Sequence, residues 1–221
     1  MKYRAIKHGI ETDLPPRNSI GAHAWISSKE AASPECRECG AKMQLFLQFD
    51  ISKYFDVSFK NDSHFVLFMC PMCNEIPSFD NYSGKKLPVE FWKKTEGHFY
   101  AALYRDDVSV IYDSGADFLN EFSLEFIEET SNSPEERTTI KIGGEPDWLQ
   151  DPEHFSCQCG ADMGLLAQIS ENYPFPKKIS APAQPDSFSS KDYCLFLGNE
   201  IYIFCCSEQC NDRSVWITVQ N

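Results

Sequence analysis

The sequence predicts a mostly β (α+β) fold. It is internally duplicated, with two pseudo-symmetric strand-rich lobes packed as one compact unit and cysteine-rich turns. Three observations predict it. The apolar segments are short, aromatic-rich runs of strand length, and helical periodicity is scarce. The chain resembles itself at an offset of 120, where Cys39-Gly40-Ala41, Met43, Leu45 and Gln48 fall on Cys159-Gly160-Ala161, Met163, Leu165 and Gln168. Cysteine pairs recur at the ends of the apolar runs in both copies.

The duplication divides the chain into a first repeat over 1–80, a strand-rich bridge over 81–119 and a second repeat over 120–221. Upstream of the cysteines, Ile20-Gly21-Ala22-His23-Ala24-Trp25 resembles Ile142-Gly143-Gly144-Glu145-Pro146-Asp147-Trp148, and downstream FVLFMCPMCN resembles IYIFCCSEQCN. The bridge carries HFYAALYRDDVSVIYD, which reads as strand. Residues 117–127 fit either a short helix or a strand. In YCLFLGNEIYIFC, over 193–205, Gly198-Asn199 lies between two apolar runs, the signature of a hairpin. SVWITV, over 214–219, is rich in β-branched residues and predicts a terminal strand. Residues 171–192 hold Pro174, Pro176, Pro182 and Pro185 among serines and read as a long loop. Trp25 and Trp148 fall at corresponding places and are expected to plug their own lobes, with partner contact as the alternative. Gln48 and Gln168, on apolar strands, are expected to pin neighbouring loops, because a buried amide needs hydrogen bonds.

The chain has 221 residues, 42% apolar, 14% aromatic and 24% charged, which are globular values. A chain this long buries about 70% of its unfolded surface, so its cysteines are not needed as staples. Twenty Lys+Arg against 33 Asp+Glu give a net charge of −13. That balance argues against nucleic acid and anionic membrane, both of which are bound through positive charge. The start, MKYRAIKHGIETD, lacks the apolar core of a signal peptide, and no apolar stretch approaches membrane-spanning length. A cytoplasmic, reducing location is the expectation, where close-spaced cysteines serve as metal ligands or redox groups more often than as disulfides.

Cys36-x-x-Cys39 and Cys70-x-x-Cys73 each place two thiolates on one tight turn, and two such turns supply a tetrahedral zinc site. Buried free thiols and a redox pair are the alternatives, although a redox C-x-x-C opens a helix and no helical pattern follows either pair. The second quartet is irregular. Cys157-x-Cys159 has one spacer and Cys206-x-x-x-Cys210 three, while Cys205 competes with Cys206 for the strand-end position. A second zinc site and a site that has lost its metal both fit this pattern. Cys194 reads as core. Zinc turns of this kind are closed, four-ligand folding devices that leave no place for a catalytic water. No deaminase, zincin, serine-hydrolase, Walker or dinucleotide motif occurs, and the five histidines are scattered.

The glycine–tryptophan, cysteine and glutamine landmarks over 140–211, repeated more weakly over 20–74, resemble the YwqG-like family of bacterial proteins of unknown function. The same order resembles the programmed-cell-death-two family, which is implicated in escorting a ribosomal protein. The resemblance covers both repeats but not the bridge, and it implies a duplicated, mostly β fold better than it implies a function. No catalytic residues come with it. Ala22 stands where the motif has its second glycine, Ala24 stands in place of Pro146, and the second copy departs from C-x-x-C.

Residues 113–153 hold twelve acids and two bases, a net −10 of the total −13. This belt is either a solvated face or a docking surface for a basic protein, with Glu128, Glu129, Glu135 and Glu136 as its candidate contacts. A ribosomal protein, or a toxin domain held by an immunity-like protein, would suit it. The expectation is a non-enzymatic, zinc-containing binding module that neutralises or escorts a basic client. An enzyme with an unrecognised, thiol-based site is the alternative.

Overall fold

The structure, a computed structural model, describes residues 2–10, 14–30, 32–77, 86–88, 97–105, 107–112, 118–129, 139–185 and 187–221. In chain order its strands are β1 (Tyr3–Gly9), β2 (Ser19–Ile20), β3 (Ala24–Ser27), β4 (Gln44–Asp50), β5 (His64–Met69), β6 (Lys86–Leu87), β7 (Phe99–Tyr104) and β8 (Val108–Ile111). There follow β9 (Phe122–Glu128), β10 (Ile140–Ile142), β11 (Ser156–Cys157), β12 (Met163–Ile169), β13 (Phe175–Pro176), β14 (Asp192–Tyr193), β15 (Glu200–Cys206) and β16 (Val215–Gln220). No α-helix occurs among the described residues, and the mostly β expectation holds. Within 117–127, the stretch from Phe122 is strand β9.

Ten strands form one sheet in the order β16-β15-β12-β10-β1-β9-β2-β4-β5-β7. The order matches from either end, with β16 facing β7, β15 facing β5, β12 facing β4 and β10 facing β2 about the central antiparallel pair β1·β9. The two stretches of chain do not build separate sheets. β1 pairs with β10, and β9 pairs with β2, so each set of five takes its innermost strand from the other part of the chain. Both long hairpins carry a register shift at corresponding places, between Leu45 and Leu47 in β4·β5 and between Leu165 and Ala167 in β12·β15. The displaced residues, Phe46 and Leu166, are fully buried. Such bulges bend the bulged strand and increase its twist, which suits a sheet that curls.

The curl brings the two edge strands together. The Leu103 amide on β7 donates to the carbonyl of Asp212, just before β16, at 2.7 Å, and Arg105 meets the Asp212 carboxylate at 3.6 Å. The sheet thus approaches a barrel, and its exposed edges are largely covered. The core is aromatic-rich: Phe46, Phe49, Phe65, Phe68, Phe99, Phe175, Phe196, Tyr202 and Trp216 are all buried.

Two expectations change. The stretch 193–205 is not a hairpin. β14 pairs with β13, and Phe196, Leu197 and Gly198 take left-handed φ values of 47°, 59° and 82° in a 3-10 turn. Burial of Phe196 edge-on against Phe99, at 5.3 Å, competes with strand pairing and wins. The proline-rich segment is a loop but is anchored. Phe175 packs on Phe46, and the Gln184 side chain bonds both the amide and the carbonyl of Cys194.

Candidate metal centres and an acidic groove

Each first cysteine pair sits on a short hairpin closed by an isolated bridge, Glu35 with Lys42 in one and Ser156 with Asp162 in the other. The Cys36 amide donates to the Ala41 carbonyl and the Cys157 amide to the Ala161 carbonyl, both at 2.8 Å. Gly40 and Gly160 close the turns with φ of 73° and 100°, a region that favours glycine. The Gly40 amide donates to Cys36 and the Gly160 amide to Cys157, so C-x-C is the same turn made one residue shorter. The second pair of that cluster is one residue longer, and Gln209 takes up the extra length at φ 44°.

The Sγ atoms of Cys36, Cys39, Cys70 and Cys73 all lie within 4.8 Å of one another, and so do those of Cys157, Cys159, Cys206 and Cys210. The closest separations are 3.6 Å for Cys39–Cys70, 3.5 Å for Cys157–Cys210 and 3.6 Å for Cys159–Cys206. Four sulfurs at ~2.3 Å from a central zinc stand ~3.8 Å apart, so both quartets are close to ligand geometry. All ten cysteines are free thiols. The structure chooses Cys206 over Cys205. Successive strand side chains point to opposite faces, and Cys205 is turned into the core. Cys194 is buried, as expected.

Burial pushes the Cys70 and Cys206 thiols up to about 12 and raises Cys73 as well. The Ala41 amide lowers Cys39, and the Ala161 amide draws Cys159 down to about 7. In each quartet one thiol is thus drawn down while Cys70 and Cys73, or Cys206, are raised, and a bound metal ion would supply the positive charge that lets such ligands deprotonate. Both quartets bury two thiols, Cys36 with Cys70 and Cys157 with Cys206, and expose one of the first pair, Cys39 or Cys159; they differ in the last ligand, where Cys73 is partly buried and Cys210 is exposed.

The glutamines pin loops. Gln48 accepts the Trp25 amide at 2.9 Å and donates to Ser19 Oγ and to the Pro16 and His23 carbonyls. Gln168 accepts the Asp147 amide at 2.9 Å and donates to the Asp147 carbonyl and to Glu200. Each lies in a polar cluster that the sequence reading missed. His64 Nδ1 is 2.8 Å from Asp50, which Arg17 also holds. Buried Lys141 reaches the Glu145 carbonyl and Asp147, while Glu200 accepts the Glu171 amide. His64 and Glu200 each head an apolar strand, and that was the available signal. Burial raises the Glu200 carboxyl. At Asp50 burial acts in the same direction, but the His64 hydrogen bond and Arg17 overrule it and bring the group to about 2.

The tryptophans are half-buried rather than full plugs. Trp25 donates to the Pro15 carbonyl with Arg17 over its ring, and Trp148 stacks on Tyr202 and Phe204 at 4.5 and 5.8 Å. Their expected equivalence is one residue out, since the amide that Gln168 takes is that of Asp147. The glycine turns do correspond. Gly21 and Ala22 have φ of 64° each, Gly143 and Gly144 have 70° and 69°, and Ala22 adopts the left-handed turn despite its methyl group.

A groove of about 540 Å³ opens beside the second quartet, where the loop at Asp56–Ser58 meets the Gly143-Gly144 turn. Asp56, Glu145, Glu153 and Asp162 line it together with Trp148, His154 and Phe155, and among the described residues no Lys or Arg does. The expected acidic contacts are only partly available. Glu128 is exposed, Glu129 is paired with Lys2 at 3.2 Å, and Glu135 and Glu136 lie outside the described residues. Among the described residues, no helix is long and apolar enough to cross a membrane.

Fold and site define a class, a mostly β protein with a near-barrel sheet carrying two four-cysteine clusters able to chelate metal. No protein-family profile matches the chain, and no curated protein matches it.

Proposed function

We propose that this protein is a non-enzymatic binding module, organised by zinc, that neutralises or escorts a basic protein. The observation that carries the reading is the groove beside the second quartet, with four acidic residues, an aromatic wall, one histidine and, among the described residues, no Lys or Arg in its lining. Arg and Lys side chains are the complementary chemistry, through ion pairs and through stacking of guanidinium on indole. Zinc is the metal proposed for both quartets, because four thiolates on tight turns suit it. The matched strand order and matched bulges support an internally duplicated ancestry. The two thiols outside the quartets, Cys194 and Cys205, are buried, which disfavours the thiol-enzyme alternative.

An arginine-rich peptide titrated at low and high salt, with tryptophan fluorescence as the signal, tests the reading. Binding should weaken as salt screens it and should fall at least tenfold in a Glu145→Lys, Asp162→Lys variant. Equal binding by wild type and variant at low salt refutes the groove. Affinity capture with mass spectrometry then separates a toxin-like client from a ribosomal one.

A further inference from the structure

We propose that each cysteine cluster fastens the part of the molecule opposite its own, so that metal held in one cluster rigidifies the other part. The proposal rests on the metal reading above. In the turn between Cys206 and Cys210, Gln209 is buried with its side chain directed into the first half of the chain. Its Oε1 accepts the Lys60 amide at 2.9 Å, and its Nε2 donates to Ser63 Oγ at 3.1 Å. Just beyond, the Asp212 carbonyl accepts the Leu103 amide at 2.7 Å, and Arg213 donates to Glu30 at 2.7 Å. Glu30 also accepts the hydroxyls of Tyr100 and Tyr104. The partners of this loop therefore include Glu30, Lys60, Ser63 and Leu103, all from the first half.

The first cluster reciprocates, with fewer links among the described residues. Asn74, buried directly after Cys73, accepts the Leu197 amide and donates to Cys194 Sγ, both at 3.5 Å. The bridge joins the two hairpins in a parallel manner. The Arg37 amide donates to the Gly97 carbonyl beside the first cluster, and the Gln158 amide donates to the Leu87 carbonyl beside the second.

A surface loop loses conformational freedom when it docks, and hydrogen bonds of modest net strength do not offset that loss over several residues. Two metal ligands in the loop remove most of that freedom beforehand, so docking onto the opposite half becomes favourable. The second cluster, with the larger set of cross-links among the described residues, therefore controls how firmly β7 and the Lys60–Ser63 turn are held.

Hydrogen exchange by mass spectrometry on the purified full chain, with zinc measured on the same sample, tests this. Cys210→Ser should lose the metal of the second cluster and speed exchange across 60–63 and 99–104 by tenfold or more. Gln209→Ala should keep its full zinc content and still speed the same segments several-fold, which keeps the test valid if the cysteine variant fails to fold. If wild type carries zinc and exchange rises only within 156–169 and 200–220, cross-fastening is wrong and the metal reading stands. Wild type without zinc overturns the metal reading and this proposal with it.

Discussion

The two cysteine clusters hold the same four ligands on the same kind of turns, yet they sit differently. Each buries two ligands, Cys36 and Cys70 in the first and Cys157 and Cys206 in the second, but the first has the regular C-x-x-C spacing twice and keeps Cys73 partly buried. The second shortens one turn and lengthens the other, and it leaves Cys159 and Cys210 exposed. A ligand set tolerates such shifts because tetrahedral geometry constrains the sulfurs and not the backbone between them. Exposure governs how easily a competing ligand or a proton would reach a metal held there.

The largest expected effect breaks this comparison directly. Cys70→Ser should cost about 5 kcal/mol or more, given the roughly 10–16 kcal/mol that structural zinc contributes in small peptides. At about 2–4 °C per kcal/mol for a chain this long, the melting temperature falls by about 10–20 °C or the protein becomes insoluble. Cys206→Ser, at the corresponding buried ligand of the second cluster, should cost less than half as much. Thermal scans with zinc analysis check both, and equal losses would remove the distinction between the clusters.

The paired glutamines sharpen it. Gln48→Leu and Gln168→Leu should each cost about 3 kcal/mol, since each strands several buried donors and acceptors at about 1–3 kcal/mol apiece. Gln168→Leu should be the worse of the two, because it also deprives Glu200 of a donor at 2.6 Å. Urea titrations of both variants decide the order.

Smaller again is the effect of the tryptophans. Trp148→Ala should cost about 2–3 kcal/mol and Trp25→Ala about 1–2, both below the roughly 3–5 expected for a fully buried aromatic. A loss above that range for either one would restore the plug role in its half.

The smallest effect depends on pH. Asp50 has its carboxyl held at about 2, below the ordinary 3.8. A lowered folded-state value stabilises the protein above the unfolded value, and the contribution disappears as pH falls from about 4 toward 2. Because Asp50 is partly exposed, screening reduces its share to about 1 kcal/mol. The stability difference between wild type and Asp50→Asn should therefore shrink over that interval, and a constant gap would exclude the Asp50 carboxylate as its source.

The sequence alone determined the local elements of this protein. Apolar runs such as FVLFMC and IYIFCC became strands β5 and β15, the cysteine turns formed where Gly40 and Gly160 allow them, and the eight expected ligands came together in fours. These features depend on neighbours a few residues apart, so spacing and composition reveal them. Tertiary structure decided what spacing does not encode. It interleaved β1 and β9 across the halves, replaced a predicted hairpin with a turn that buries Phe196, and turned Gln209 toward Lys60 rather than toward its own cluster. It also gathered Asp56 and Asp162 into one groove with Glu145 and Glu153, where the sequence offered only a belt of charge. Each of these outcomes pairs residues distant in the chain. Their free energy comes from burying apolar area and satisfying polar groups against partners that only the folded sheet brings within reach.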